Sequence, residues 1–188
     1  MSESESVYIV FAGFRNESAS VGGLAGLEHW ADTRKDIKLG PVGALRNVNG
    51  ELSSEIVHKA GKGVLVSGAM GLAKSLLGPF AIVGNVVSSA AKSLFKKPDG
   101  ETPEALNRLA EQLDAGGVTL VFVCTAGEVD AYQEQLQAMC GTVSRYEVPR
   151  EVLEEAAAAI EAAEAEEEAR KKAEKEAKKE EKKKDKEE

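Results

Sequence analysis

"GALRNVNGELSSEIVH", Gly43 to His58, is the stretch on which the fold turns. Asn49-Gly50 stands between two segments of strand-like composition. A type I′ turn needs positive φ at both central residues, and Asn-Gly adopts it most readily. The stretch therefore predicts a β-hairpin, with strands over Val42 to Asn47 and Glu51 to His58. Arg46, Glu51, Ser53 and Glu55 fall on its outer face, which fits an antiparallel sheet with one wet side.

Upstream, Val7 to Phe11, "VYIVF", is short, apolar and rich in β-branched and aromatic residues, and reads as a buried strand. Ser18 to Asp32 sets Val21, Leu24, Leu27 and Trp30 at helical spacing. Gly22, Gly23 and Gly26 weaken that helix by about 1 kcal/mol each relative to Ala. Downstream, residues 59–97 are glycine-rich and broken by Gly78-Pro79, a helix end followed by a helix start. They read as a helical hairpin, with arms from Gly63 to Leu77 and from Phe80 to Phe95.

Thr102-Pro103-Glu104 opens another helix, with Thr as its cap and Leu106, Leu109, Ala110 and Leu113 on one face. After Gly116-Gly117, "VTLVFVC" is apolar on both faces, as a central strand is. Gly127 to Met139 is an amphipathic helix with Val129, Tyr132, Leu136 and Met139 as its buried stripe. "GTVSRYEVP" then alternates as an edge strand ended by Pro149. The order is β-α-β-β-(αα)-α-β-α-β, and its β-α-β-β-α-β part is the split βαβ, ferredoxin-like signature. The expected fold is α+β: a ferredoxin-like sheet, an inserted glycine-rich helical hairpin, one extra α-β unit and a charged C-terminal helical tail.

The chain of 188 residues suits one domain and an appendage. Residues 1–149 form the domain, with 59–97 as its insertion, and 150–188 form the tail. From about Glu151 the composition collapses to Glu, Lys and Ala, and no large apolar residue follows Ile160 to build a coiled-coil seam. A solvated helix fraying into disorder is expected there, with an interaction arm as the other reading. A net charge of −8 gives no footprint for nucleic acid, whose binding needs clustered cations. Cys124 and Cys140 are too few for a disulfide framework and read as reduced, core-like thiols. The acidic start "MSESESVYIVFAGF" lacks the basic region of a secretory signal. The expectation is a cytoplasmic protein, with a peripheral place at the membrane as the alternative.

The glycine-rich segment admits several readings. Gly68 to Ser75 comes within one residue of the phosphate-loop pattern G-x-x-x-x-G-K-[ST]. Ala73 stands where the glycine before the lysine is needed, and "VTLVFVC" ends without the acidic residue of a metal-bearing strand, so no nucleotide is expected. A membrane span needs roughly 20 predominantly apolar residues. Lys74 cuts the first apolar run, and Asn85, Ser88 and Ser89 interrupt the run from Leu76 to Ala91. A shallow contact with an anionic membrane surface remains open, because lysines flank the apolar runs. Close helix packing uses the same residues more fully. Ser67, Gly71 and Ser75 recur every four positions, as do Gly84 and Ser88, and such spacing lets backbones approach. With Leu72, Val83 and Val87 they form the candidate interaction surface, favoured for self-association, with packing inside one chain as the alternative.

"VYIVFAGF", the hairpin at Asn49-Gly50, the glycine-rich segment and "LNRLAEQLDAGGVTLVFVCTAGEVDAYQEQLQAMCGTVSRYEVP" resemble, in that order, a bacterial domain-of-unknown-function family, number 1269. The nearest part runs from Leu106 to Pro149, where Gly116-Gly117 and Gly141-Thr142-Val143 stand at the family's turn and strand start. The resemblance implies a predicted membrane or general stress protein, with no catalytic residues established for the family. Lys74 and the serines of the hairpin depart from the family's pattern and weaken the integral-membrane label.

Little here points to chemistry. His29 and His58 lie on different elements without metal-ligand spacing, and Cys124 has no identifiable base beside it in sequence. Glu17, Glu28 and Glu128 lie at element ends, where capping and helix-dipole effects explain them. No cofactor, metal or catalytic residue is expected. The leading expectation is a noncatalytic structural or interaction protein that forms homo-oligomers through the hairpin, in a stress setting if the resemblance holds. A peripheral membrane protein comes second, and a small-ligand sensor or enzyme on the sheet comes third.

Overall fold

The computed structural model describes residues 6–61, 63–77, 102–140 and 142–184. Strand β1 (Ser6–Phe14) leads into helix α1 (Glu17–Asp32). The α1 cap, Asn16, accepts a hydrogen bond from the Ala19 N–H at 2.8 Å, satisfying a donor that every helix start leaves open. The hairpin follows as β2 (Val42–Val48) and β3 (Glu51–His58), with Val48 opposite Glu51. Asn49 and Gly50 take φ of 56° and 87°, the positive φ that the Asn-Gly pair predicts for a type I′ turn.

Helix α2 (Val64–Leu77) is the first arm of the glycine-rich segment. The second arm, expected from Phe80 to Phe95, lies outside the described residues. Helix α3 (Thr102–Asp114), strand β4 (Val118–Cys124), helix α4 (Val129–Met139), strand β5 (Thr142–Pro149) and helix α5 (Arg150–Lys184) complete the order. Gly116, at φ 85°, ends α3 in a Schellman turn. Its N–H donates to the Leu113 carbonyl at 3.1 Å, and the Gly117 N–H donates to Gln112 at 2.8 Å.

The strands form a five-stranded antiparallel sheet in the order β3-β2-β4-β1-β5. β4 holds the centre, between β2 and β1, as its unbroken apolar run requires. The chain reaches this order by two interleaved crossovers. β1-α1-β2 leaves a gap that β4 fills, and β4-α4-β5 straddles β1. Strand β3, read from sequence as part of the split core, lies at the outer edge. The α4-β5 unit, read as an extra, instead supplies the second neighbour of β1, with Ser6 opposite Pro149 and Gly13 opposite Thr142.

Each face of the sheet has its own core. On one, Val10, Ala12, Val42, Ala44, Leu120 and Phe122 pack beneath Leu27 and Ala31 of α1 and Val129, Tyr132 and Leu136 of α4. On the other, Ile9, Phe11, Leu45, Val121 and Val148 pack beneath residues of α2, α3 and α5. The expected wet face is therefore confined to the hairpin tip and β3, because helices close both sides of the central strands. Even Arg46 of the polar hairpin face is engaged, by Glu17 of α1 at 3.2 Å and by Glu55 across the hairpin.

Past residue 149, the start of α5 packs against the body. α5 begins directly after β5, and its first turns bury Leu153, Ala156 and Ala157 in the body of the protein. These residues and Ile160 recur at helical spacing along one face, as an amphipathic helix requires.

Candidate functional site

The glycine-rich helix and the helix that covers it form the most distinctive feature of the protein. α2 is buried along most of its length: Val66, Gly68, Ala69, Met70, Gly71, Leu72, Ala73 and Leu77 are all inside. Toward the sheet, Met70 occupies the space that a side chain at Gly43 would need, since a Cβ there would lie 2.8 Å from Met70 Cγ. Toward α5, the contact is backbone to backbone. A Cβ at Gly68 would fall 2.8 Å from the carbonyl carbon of Leu153 and 3.1 Å from its Cα. A Cβ at Gly71 would meet the Ile160 side chain, 3.1 Å from its Cγ1. Small residues are present because two helix axes cross there at close range.

The sequence-predicted contact residues are thus distributed differently from expectation. Leu72 is fully buried and Gly71 is filled by Ile160, so within one folded chain neither is presented to a second copy. Intramolecular packing, the alternative reading, accounts for both. Ser75 turns its hydroxyl inward to the Gly71 carbonyl at 3.1 Å, and Ser67 is half-buried. Val83, Gly84, Val87 and Ser88 lie outside the described residues. Sequence reasoning missed Gly68, Leu153 and Ile160. The signal was present as an apolar repeat at 153, 156, 157 and 160, but the surrounding Glu and Ala made the whole tail read as solvated. The residues that resembled a phosphate loop, Gly68 to Ser75, all lie inside α2 rather than between a strand and a helix.

Beyond Ile160, α5 changes character. Every side chain described from Glu161 to Lys175 is exposed, and the helix continues to Lys184. Glu161, Glu164, Glu166 and Glu168 form an acidic stretch, followed by a basic one of Arg170, Lys171, Lys172 and Lys175.

The titratable groups flagged in the sequence have structural partners. Glu128 accepts from both the N–H and the hydroxyl of Thr125, at 3.0 and 2.7 Å, which ties down the turn before α4. The β2–β3 register steps between Val42 and Gly43, whose partners are His58 and Ile56. Such a bulge re-aims side chains. His58 Nδ1 there lies 2.6 Å from Glu28 of α1, while His29 is exposed. Burial pushes the Cys124 thiol up to about 12, helped by the negative charge of Glu128, and raises Cys140 to about 11. Neither is poised as a nucleophile, which needs the thiolate. Burial likewise raises the Tyr132 phenol, which donates to the Lys38 carbonyl at 3.2 Å and anchors the loop before β2. Among the described residues no group of three or more His, Cys, Asp or Glu is placed to hold a metal ion. Among them, too, no helix is long and apolar enough to cross a membrane.

No family model, curated protein or solved structure matches the chain.

Proposed function

We propose that the protein is a noncatalytic interaction module that assembles with copies of itself. One observation carries this reading: α5 continues past Ile160 with every described side chain from Glu161 to Lys175 exposed, so that this stretch adds nothing to the protomer's own core. A helix that is polar all round is held by side-chain pairs or by a partner, not by burial in its own domain. The body supports the same reading. Without β3 the strand order is β2-β4-β1-β5, with α1 and α4 on one face, which we read as a ferredoxin-like split βαβ sheet. Its other face, free for a ligand in a bare two-layer sheet, is filled here by α2, α3 and α5. The resemblance between Leu106 and Pro149 suggests a stress setting for such assembly.

Light scattering on the full chain, eluted from a sizing column over a concentration series, tests the proposal. A mass above the 19.9 kDa protomer that rises with concentration is expected. A single protomer mass at every concentration would overturn it. The exposed Arg170, Lys171, Lys172 and Lys175 favour a second reading, contact with an anionic membrane surface. Flotation with phosphatidylserine-containing vesicles separates the two: a monomer that floats with the vesicles supports the membrane.

A further inference from the structure

We infer that the exposed part of α5 pairs antiparallel with α5 of a second copy, about a two-fold axis near Ala169 and Arg170. This rests on the self-assembly reading above and names its surface. The decisive feature is the order of charges along the helix. Side chains three and four apart are neighbours on a helix surface, and like charges at that spacing repel. Glu164 has Glu161 and Glu168 at those positions, while Lys175 has Lys171 and Lys172. Each therefore has its own sign beside it along its own helix.

A second helix in parallel register would add to that repulsion. An antiparallel helix removes it, because acidic residues of one copy then lie along basic residues of the other. With the axis between Ala169 and Arg170, Glu164 of each copy stands opposite Lys175 of its partner. A two-fold interface makes that contact twice. The antiparallel arrangement also sets the two helix dipoles head to tail. Ala162, Ala165, Ala169 and Ala173 keep the helix slim, so the charged groups can come within reach. All of these alanines are exposed, as are Glu164 and Lys175. With no large apolar side chain in the seam, the association is electrostatic and weakens as salt shortens the range of the charges.

The test is a charge-reversal cycle in the full chain, read by sedimentation velocity at low and high salt. Glu164→Lys alone and Lys175→Glu alone each turn both contacts repulsive and should weaken the dimer on the order of tenfold. An equimolar mixture of the two variants restores opposite charges at both contacts and should dimerise more tightly than either variant alone. These side chains are exposed, so the variants keep the fold. If all variants dimerise as the wild type does, the copies meet elsewhere: this inference falls and the self-assembly reading stands. If the wild type is monomeric at low salt, both fall. Weakening without rescue also overturns the antiparallel register.

Discussion

Gly68→Ala adds a single methyl group, and the crossing of α2 and α5 decides its effect. The new Cβ would lie 2.8 Å from the Leu153 carbonyl carbon, whereas ordinary contact begins near 3.4 Å. The Leu153 carbonyl oxygen stands closer still, so the α5 backbone must back away by more than about 0.6 Å over that turn. A side-chain end could swing aside at little cost; a helix carbonyl held in the backbone cannot. Three effects compete. Ala gains about 1 kcal/mol of helix propensity over Gly. Overpacking of a filled core costs about 1–3 kcal/mol. Lifting α5 also loosens Leu153, which is fully buried and whose burial is worth about 1.5–3 kcal/mol when complete. The expected net result is a loss of about 1–3 kcal/mol, or about 2–4 °C in Tm per kcal/mol for a chain of this size.

Two controls bracket the effect. At Gly22, exposed on α1, nothing lies within 4 Å of an added Cβ, so Gly22→Ala should stabilise by up to about 1 kcal/mol. At Gly71 the obstacle is the end of the Ile160 side chain, which can rotate, so Gly71→Ala should fall between the two. Urea unfolding followed by far-UV circular dichroism and by Trp30 fluorescence gives all three values. Trp30 rests against Tyr132 with ring centroids 5.5 Å apart, on the opposite face of the sheet from α5, so it reports loss of the body. A Gly68→Ala protein as stable as wild type would refute the close crossing.

The thiols give a prediction in pH. Because burial raises Cys124 and Cys140 to about 12 and about 11, the unfolded chain ionises them first, near 8.5. Their contribution to stability is complete below about pH 8.5 and declines as pH rises toward 11 and beyond. Denaturant midpoints in the Cys124→Ser/Cys140→Ser variant should lose that part of the alkaline slope. An unchanged slope would show that other groups cause it. At the hairpin, Gly50→Ala places a Cβ at φ 87° in open space, so the cost is backbone strain alone, about 1–2 kcal/mol. Its urea midpoint should fall accordingly, and a neutral effect would argue against a rigid I′ turn.

Turn chemistry and periodicity act within a few residues, and the local features that depend on them were legible. The hairpin at Asn49-Gly50, the central character of "VTLVFVC", and the stripe of Val129, Tyr132 and Leu136 all follow from neighbours in the chain. The candidate contact surface was legible only in part. Gly71 and Ser75 do mark a helix where small residues matter, but their spacing is silent about which helix approaches. Gly68 carries the closer contact, and its partner Leu153 lies more than eighty residues away.

By itself, then, the sequence determined where most of the described strands, helices and turns form, and that the side chains from Glu161 to Lys175 would stay out of the protomer's core, since nothing after Ile160 can drive burial there. Only the tertiary structure decided that β4 and β5, not β3, flank β1, and that the first turns of α5 complete the core over α2. Those choices depend on competition among distant segments for the same buried surface, and one missing side chain at Gly68 settles which of them can come close enough.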